Sequence, residues 1–228
     1  MHRNLLCLTL LVAAACASAP SSPTAAPATA AAPPPVAANR DVLADLPHDR
    51  VDYWVERFGR GDKHAEIAEA LGRKPQYDAM IADKLRRKGM PQELIYLAMN
   101  ESGFNVQAHS VAEAIGIWQL VPDTARRYGL KVDETVDERR DPEKSTDAAL
   151  SYLASLYNRF GSWYLAAAAY NTGENRVARI MTEVTGSERG TDADYYRIWD
   201  RLAPETRDFI PAMVALARIG KDPARYGF

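Results

Sequence analysis

Apolar side chains recur at three- and four-residue intervals from Val51 onward, and few runs alternate as strands would. Val51, Trp54, Val55 and Phe58 form one stripe, ended by Gly59 and Gly61. A second helix is predicted over 77–88, with Met80, Ile81 and Leu85 on one face and Gly89 as its stop. Pro91 then stands where a first helical residue tolerates proline. Residues 146–160 carry Ala149, Leu150, Leu153, Leu156, Tyr157 and Phe160 on an amphipathic face. Residues 163–170 are Ala-rich and apolar almost all round, which predicts a buried central helix. Asn171 and Glu174, three places apart, read as a capping box opening a helix that runs to Met181. Pro204 and Pro211 punctuate the last helical stretch, and Gly220 ends it. The stretch 106–119 is the poorest helix candidate and suits a small hairpin or loop. There is no internal repeat. The predicted class is mainly α, with one folded domain over 46–228.

The first 45 residues obey different rules. His2 and Arg3 precede an apolar run over 5–15, about half the roughly 20 residues that a membrane span needs. Residues 1–16 therefore read as an export signal. Ala13, Ala14 and Ala15 stand directly before Cys16. This resembles a bacterial lipobox, in which the cysteine is lipidated and becomes the new N-terminus. The usual Leu three places before the cysteine is replaced by Ala13, and cleavage to a soluble periplasmic protein is the alternative. Ala17 lacks the acidic character of inner-membrane retention, so the resemblance favours an outer-membrane anchor. The 23 residues over 17–39 hold six Pro and ten Ala, with no charge or aromatic. Such a segment has nothing to bury, so 17–45 is expected to be a disordered tether. At about 3.1 Å per residue it would reach roughly 70 Å.

Composition then narrows the chemistry. Of 228 residues, 28 are Lys or Arg and 30 are Asp or Glu, a net charge of −2. That balance offers no basic stripe for a nucleic acid. Both cysteines, Cys7 and Cys16, precede the folded part, which excludes a disulfide, a zinc ribbon or a thiol nucleophile there. The four histidines (His2, His48, His64 and His109) have no metal-ligand spacing, and no metal or cofactor is expected.

One carboxyl interrupts an apolar face. The helix beginning at Pro91 aligns Leu94, Leu97 and Ala98, and the next position on that face is Glu101, followed by Gly103 as a natural stop. A Glu on the core side of a helix end is desolvated. That raises its pKa, as a general acid working near neutral pH requires. Periodicity alone also allows a Glu that reaches solvent where the helix frays.

Three ordered blocks favour the first reading: Glu101-Ser102, then Gly116-Ile117-Trp118-Gln119, then Ala169-Tyr170-Asn171-Thr172-Gly173. With the run-up Gly89-Met90-Pro91 and the tail Pro204 to Pro211, the chain resembles the lysozyme-like lytic transglycosylases of bacterial cell walls. In particular it resembles the membrane-bound type D group of family 1. The resemblance implies a lysozyme-like helical domain acting on peptidoglycan glycan strands, with no protein partner indicated. It implies cleavage of the N-acetylmuramic acid to N-acetylglucosamine β-1,4 bond without water, leaving a 1,6-anhydro end. Glu101 would protonate the leaving oxygen and then, as carboxylate, take the proton of the 6-hydroxyl. Standard glycosidases use two carboxyls; the family pattern needs one.

The resemblance also assigns substrate contacts. Ser110 matches a position that bonds the catalytic carboxyl or the acetamido group, and is otherwise an ordinary turn serine. Gln119 matches a cleft residue that bonds sugar polar groups, or is a structural amide. Tyr170 matches a tyrosine whose hydroxyl points at the catalytic Glu. Asn171 is a substrate contact, the N-cap noted above, or both. Trp118 is core packing or a sugar-stacking platform. Phe209 fits the core better than the groove, and His109 fits an exposed loop. Glu113 departs from the family's small or polar residue. It is a solvated loop charge or a second carboxylate that would turn the enzyme into a hydrolase of the goose-type lysozyme kind. An inactive wall-binding scaffold is the remaining rival.

Overall fold

The stripe of Val51, Trp54 and Phe58 folds as α1 (Asp49–Gly59), with those three side chains buried. The computed structural model describes residues 43–228. After α1 come α2 (His64–Arg73), α3 (Asp78–Arg87), α4 (Ile95–Ser102), α5 (Pro122–Arg127) and α6 (Pro142–Phe160). The chain continues with α7 (Trp163–Thr172), α8 (Glu174–Thr185), α9 (Asp192–Ile198) and α10 (Pro204–Lys221). Extended pairing among the described residues is limited to isolated bridges, His109 to Ile115, Ile115 to Leu120 and Val132 to Asp137. The weakly helical stretch 106–119 is thus a loop pinned by single bridges. No described helix is long and apolar enough to cross a membrane.

The apolar α7 is the central helix, and every residue from Trp163 to Ala169 is buried. Ser162 starts it by accepting from the Leu165 N–H at 3.1 Å, the usual way an N-cap satisfies an orphan donor. Its alanines let α6, α8, α9 and α10 approach closely. The large residues of those neighbours supply the burial, about 1.5–3 kcal/mol for each Leu or Ile. On the other side of α10 lie α1 and α4, and α4 is buried from Ile95 to Met99.

Several local expectations are corrected. Pro91 is extended (ψ 135°) and precedes a 3-10 turn, Gln92–Leu94, so it caps the element rather than opening α4. The helix expected from residue 146 begins at Pro142, because the Asp141 carboxylate accepts from the Glu143 and Lys144 N–H groups. Asn171 and Glu174 form no capping box: Asn171 lies inside α7, and α8 starts after Gly173 without a side-chain cap. Gly220 is the penultimate residue of α10, which ends at Lys221. A Cβ there would meet the Tyr96 hydroxyl at 2.1 Å, so glycine is needed for the close approach of α10 to α4.

Pro211 does not break α10. The carbonyl it leaves without a helical donor belongs to Arg207, which accepts from the Tyr195 hydroxyl and from Trp199 Nε1, both at 2.9 Å. At the other end, packing extends further back than expected. Leu43 is buried and Asp45 pairs with Arg218 at 2.7 Å, three residues into the segment read as tether. The export signal, Cys16 and the tether up to residue 42 lie outside the described residues.

Candidate active site

Helix α4 ends one residue after Glu101. Gly103 takes the left-handed conformation (φ 58°), its N–H bonding to the Met99 carbonyl at 2.8 Å, and Arg73 Nε donates to the Gly103 carbonyl at 2.7 Å. This fixes where two adjacent side chains go. Ser102 is buried, donating from Oγ to the Ile117 carbonyl at 2.9 Å and accepting from the Asn105 N–H at 3.2 Å. Glu101 instead faces an open cavity that it shares with the following loop and the end of α7. Of this neighbouring pair, one carries a carboxyl and the other anchors the following loop.

That loop builds the facing wall under backbone constraint. Glu113 (φ 60°) and Gln119 (φ 49°) are both left-handed without being glycine, and Gly116 has φ 82°. Each non-glycine residue held there costs about 1–2 kcal/mol. Against this cost, Ser110 N–H bonds the Ala114 carbonyl at 2.9 Å and Gly116 N–H bonds the Ala108 carbonyl at 3.0 Å.

The Ser110 hydroxyl oxygen accepts from the Ala112 and Ala114 N–H groups at 3.2 and 3.1 Å. Ser110 is thus a turn serine, and it also lines the cavity. Gln119 Nε2 donates to the Gly116 carbonyl at 2.9 Å and to that of Ala108 at 3.3 Å. This leaves the amide oxygen as the group that can accept from a ligand.

The third wall comes from the end of α7. Tyr170 lines the cavity, stacked at a tilt on Tyr152 with ring centroids 5.2 Å apart. Its hydroxyl donates to the Trp118 carbonyl at 2.7 Å, not to Glu101 as the resemblance implied. The Tyr170 oxygen is left to accept, and it ties α7 to the loop. Burial, and secondarily the nearby Glu101 carboxyl, push the Tyr170 pKa well above its ordinary value. Asn171 Oδ1 accepts from the Thr206 hydroxyl at 2.9 Å, which docks the start of α10 on the cavity wall and leaves the Asn171 amide N–H groups as donors.

Glu101 is the only carboxyl among the described residues lining the cavity. Burial alone raises its pKa to about 8, with no compensating charge or hydrogen bond. Burial thus favours the neutral acid at neutral pH. The site therefore presents an acid, three aliphatic hydroxyl residues, two amides and two tyrosines around one cavity. It can donate a proton and, once ionised, recover one.

The structure thus brings Glu101, Ser110, Gln119, Tyr170 and Asn171 together. It does not bring Trp118 to the cavity. That ring is fully buried, with Nε1 donating to Thr146 Oγ1 at 2.8 Å, so the stacking-platform reading is corrected to core. Phe209 is also buried. Glu113 is exposed and pairs with His109 at 3.1 Å, outside the cavity wall. Sequence reasoning missed Tyr152, although it is three residues after Ala149 and four before Leu156 on the same helix face. It missed Thr124 because α5 is too short to show a period.

A model of the Transglycosylase SLT domain matches residues 78–191, a span that contains the carboxyl, the loop and α7. Membrane-bound lytic murein transglycosylase D of Escherichia coli strain K12 is 42% identical over 181 residues, covering 79% of this chain and 39% of that protein. Membrane-bound lytic murein transglycosylase C of Haemophilus ducreyi is 28% identical over 176 residues, covering 71% and 45%. The chain thus spans less than half the length of these relatives. In fold it is similar to an X-ray structure of an inactive mutant of the lytic transglycosylase Slt from Pseudomonas aeruginosa. That likeness has a TM-score of 0.52 at 23% identity and covers 65% of this chain and 24% of that one. With a lysozyme-like helical fold around one desolvated glutamate, and a family match over half its length, the chain belongs to the transglycosylase SLT domain family.

Proposed function

We propose that this chain is a peptidoglycan lytic transglycosylase that cleaves the N-acetylmuramic acid to N-acetylglucosamine β-1,4 bond and leaves a 1,6-anhydromuramoyl end. The observation that carries this reading is Glu101, a carboxyl whose pKa is raised by burial and the only carboxyl among the described residues lining the cavity. The names of the relatives support the substrate.

In the first step the Glu101 proton passes to the bridging oxygen as the C1–O bond breaks, and positive charge develops at C1. The substrate's own acetamido group supports that charge, since no second carboxylate lines the cavity among the described residues. In the second step the Glu101 carboxylate takes the proton of the muramoyl 6-hydroxyl as that oxygen bonds to C1. Glu101 ends protonated as it began, and no water is consumed. Ser110, Gln119 and Asn171 offer polar atoms to hold the sugars, and Tyr170 walls the reacting carboxyl.

Hydrolases of this general kind use paired carboxyls roughly 5–9.5 Å apart. The candidate for a second one, Glu113, is engaged with His109 away from the cavity, which weighs against the muramidase reading. Digestion of purified sacculi followed by mass spectrometry separates the two. Anhydro ends support the proposal, and products heavier by one water overturn it.

Protonated Glu101 is needed to begin, so turnover on sacculi is expected to fall about tenfold per unit once pH passes about 8. A rate profile flat to pH 10 would contradict the assignment. For location, the reading is an exported protein held at the outer membrane through lipidated Cys16, with soluble periplasmic protein as the alternative. The membrane-bound relatives support an anchor, and the intact mass of the exported protein distinguishes the two.

A further inference from the structure

The loop that faces Glu101 holds left-handed backbone at Glu113 and Gln119, and such conformations persist only where the surroundings over-determine them. One side chain outside the cavity meets both places. Arg139 is buried, with its side chain 4% exposed. Its Nη1 donates to the Glu113 carbonyl at 2.6 Å and to the Leu120 carbonyl at 3.0 Å. One acceptor is a strained residue itself, and the other directly follows the second strained residue.

The rest of the guanidinium is held by a carboxylate. Nε and Nη2 each donate to Asp137, both at 2.8 Å, and Arg139 in turn holds the Asp137 carboxyl below its ordinary pKa. Without that pair, a buried cation would be costly. The backbone beneath is equally fixed, since Arg139 lies two residues before Asp141, which caps α6. Gly116 packs against the Arg139 main chain so closely that a Cβ would lie 2.1 Å from the Arg139 carbonyl oxygen.

We infer that Arg139 is a positioning residue for the transglycosylase reaction: it clamps both ends of the 113–120 turn and so sets Gln119 and the adjoining Ser110 turn against Glu101. Arg139 itself touches no substrate. The inference rests on the function proposed above. A lysine cannot replace the clamp, because a single ammonium lacks the planar fork that serves a carboxylate and two carbonyls at once.

The test uses the full chain with Arg139→Lys and the more disruptive Arg139→Met, each at a temperature where near-ultraviolet circular dichroism shows it folded. Kinetics on sacculi are combined with amide hydrogen exchange across residues 110–120. A misplaced active-site wall costs up to about a hundredfold, so kcat of Arg139→Lys is expected to drop roughly tenfold to a hundredfold with KM little changed. The Ala112, Ala114 and Gly116 amides should lose protection while α4 and α7 keep theirs. Adding Glu113→Gly, which puts glycine at one left-handed position, should restore most of the lost kcat. Wild-type kcat in folded Arg139→Lys would overturn the inference. So would protection lost evenly throughout the core, or a kcat loss that Glu113→Gly leaves untouched. Exchange does not depend on turnover, so an inactive wild type would sink the proposed function and leave the clamp to be judged on its own.

Discussion

Glu101→Gln is expected to abolish turnover on sacculi, by at least about a thousandfold, and at the same time to make the folded chain more stable at neutral and alkaline pH. General acid–base groups contribute about 10²–10⁴ each. Here one side chain serves as acid and then as base, and an amide can do neither. Shape and polarity are nearly kept, so sacculus binding should survive.

The stability gain follows from the same burial. The carboxyl titrates near its ordinary value of 4.5 in the unfolded chain and at about 8 in the folded one. Below pH 4.5 both states hold the proton and no difference arises. Between 4.5 and 8 the unfolded state releases it while the folded state retains it, so wild-type stability falls as pH rises, levelling off above 8. The amide has no proton to lose. At pH 7 the variant should be more stable by about 3 kcal/mol, or several degrees in Tm, with the gap closing towards pH 4. A variant that is inactive but no more stable at pH 8 than at pH 4, relative to wild type, would mean that Glu101 is solvated.

Gly116→Ala should be the most damaging single change outside the carboxyl. The residue is left-handed at φ 82°, and a Cβ would lie 2.1 Å from one backbone atom of Arg139 and 3.1 Å from another. Neither can swing aside as a side-chain tip would. The conformational penalty and the overpacking together give about 2–5 kcal/mol, read as a lower urea midpoint. Because the wall carrying Gln119 must shift, kcat should fall as well. Gly129→Ala supplies the control. It is also left-handed, at φ 91°, but nothing lies within 4 Å of its added methyl, so it should cost only the backbone term of about 1–2 kcal/mol and spare activity. Equal losses in the two variants would mean that contact with the Arg139 main chain is not what requires glycine at 116.

Much of this architecture was legible because it depends on periodicity. The stripes of α1, α3, α6 and α7 and the place of Glu101 on its helix are local facts about spacing. What escaped was set by contacts distant in sequence. Pro211 reads as a break until Tyr195 and Trp199 are seen on the Arg207 carbonyl. Gly220 reads only as a stop until Tyr96 is found against it, which gives the glycine a packing role as well. Asn171 fits a capping pattern, yet its oxygen is taken by Thr206, 35 residues on.

The site divides the same way. The ordered blocks contain Glu101, Gln119, Tyr170 and Asn171, and the resemblance they carry added Ser110; all five share one cavity. The direction of the Tyr170 hydroxyl and the burial of Trp118 depend on how α6, α7 and the loop meet. Arg139 gave no signal, since an arginine in a run of charged residues reads as solvated surface until its carbonyl acceptors are known.

The most direct test follows the Glu101 carboxyl carbon by NMR in carbon-13-labelled protein, assigned by its loss in Glu101→Gln, as pH is raised from 3 to 10. A midpoint near 8, set by burial without a neighbouring charge, is the expected result. A midpoint between 4 and 5 would mean an ionised, hydrated side chain at neutral pH, unable to begin the reaction as an acid.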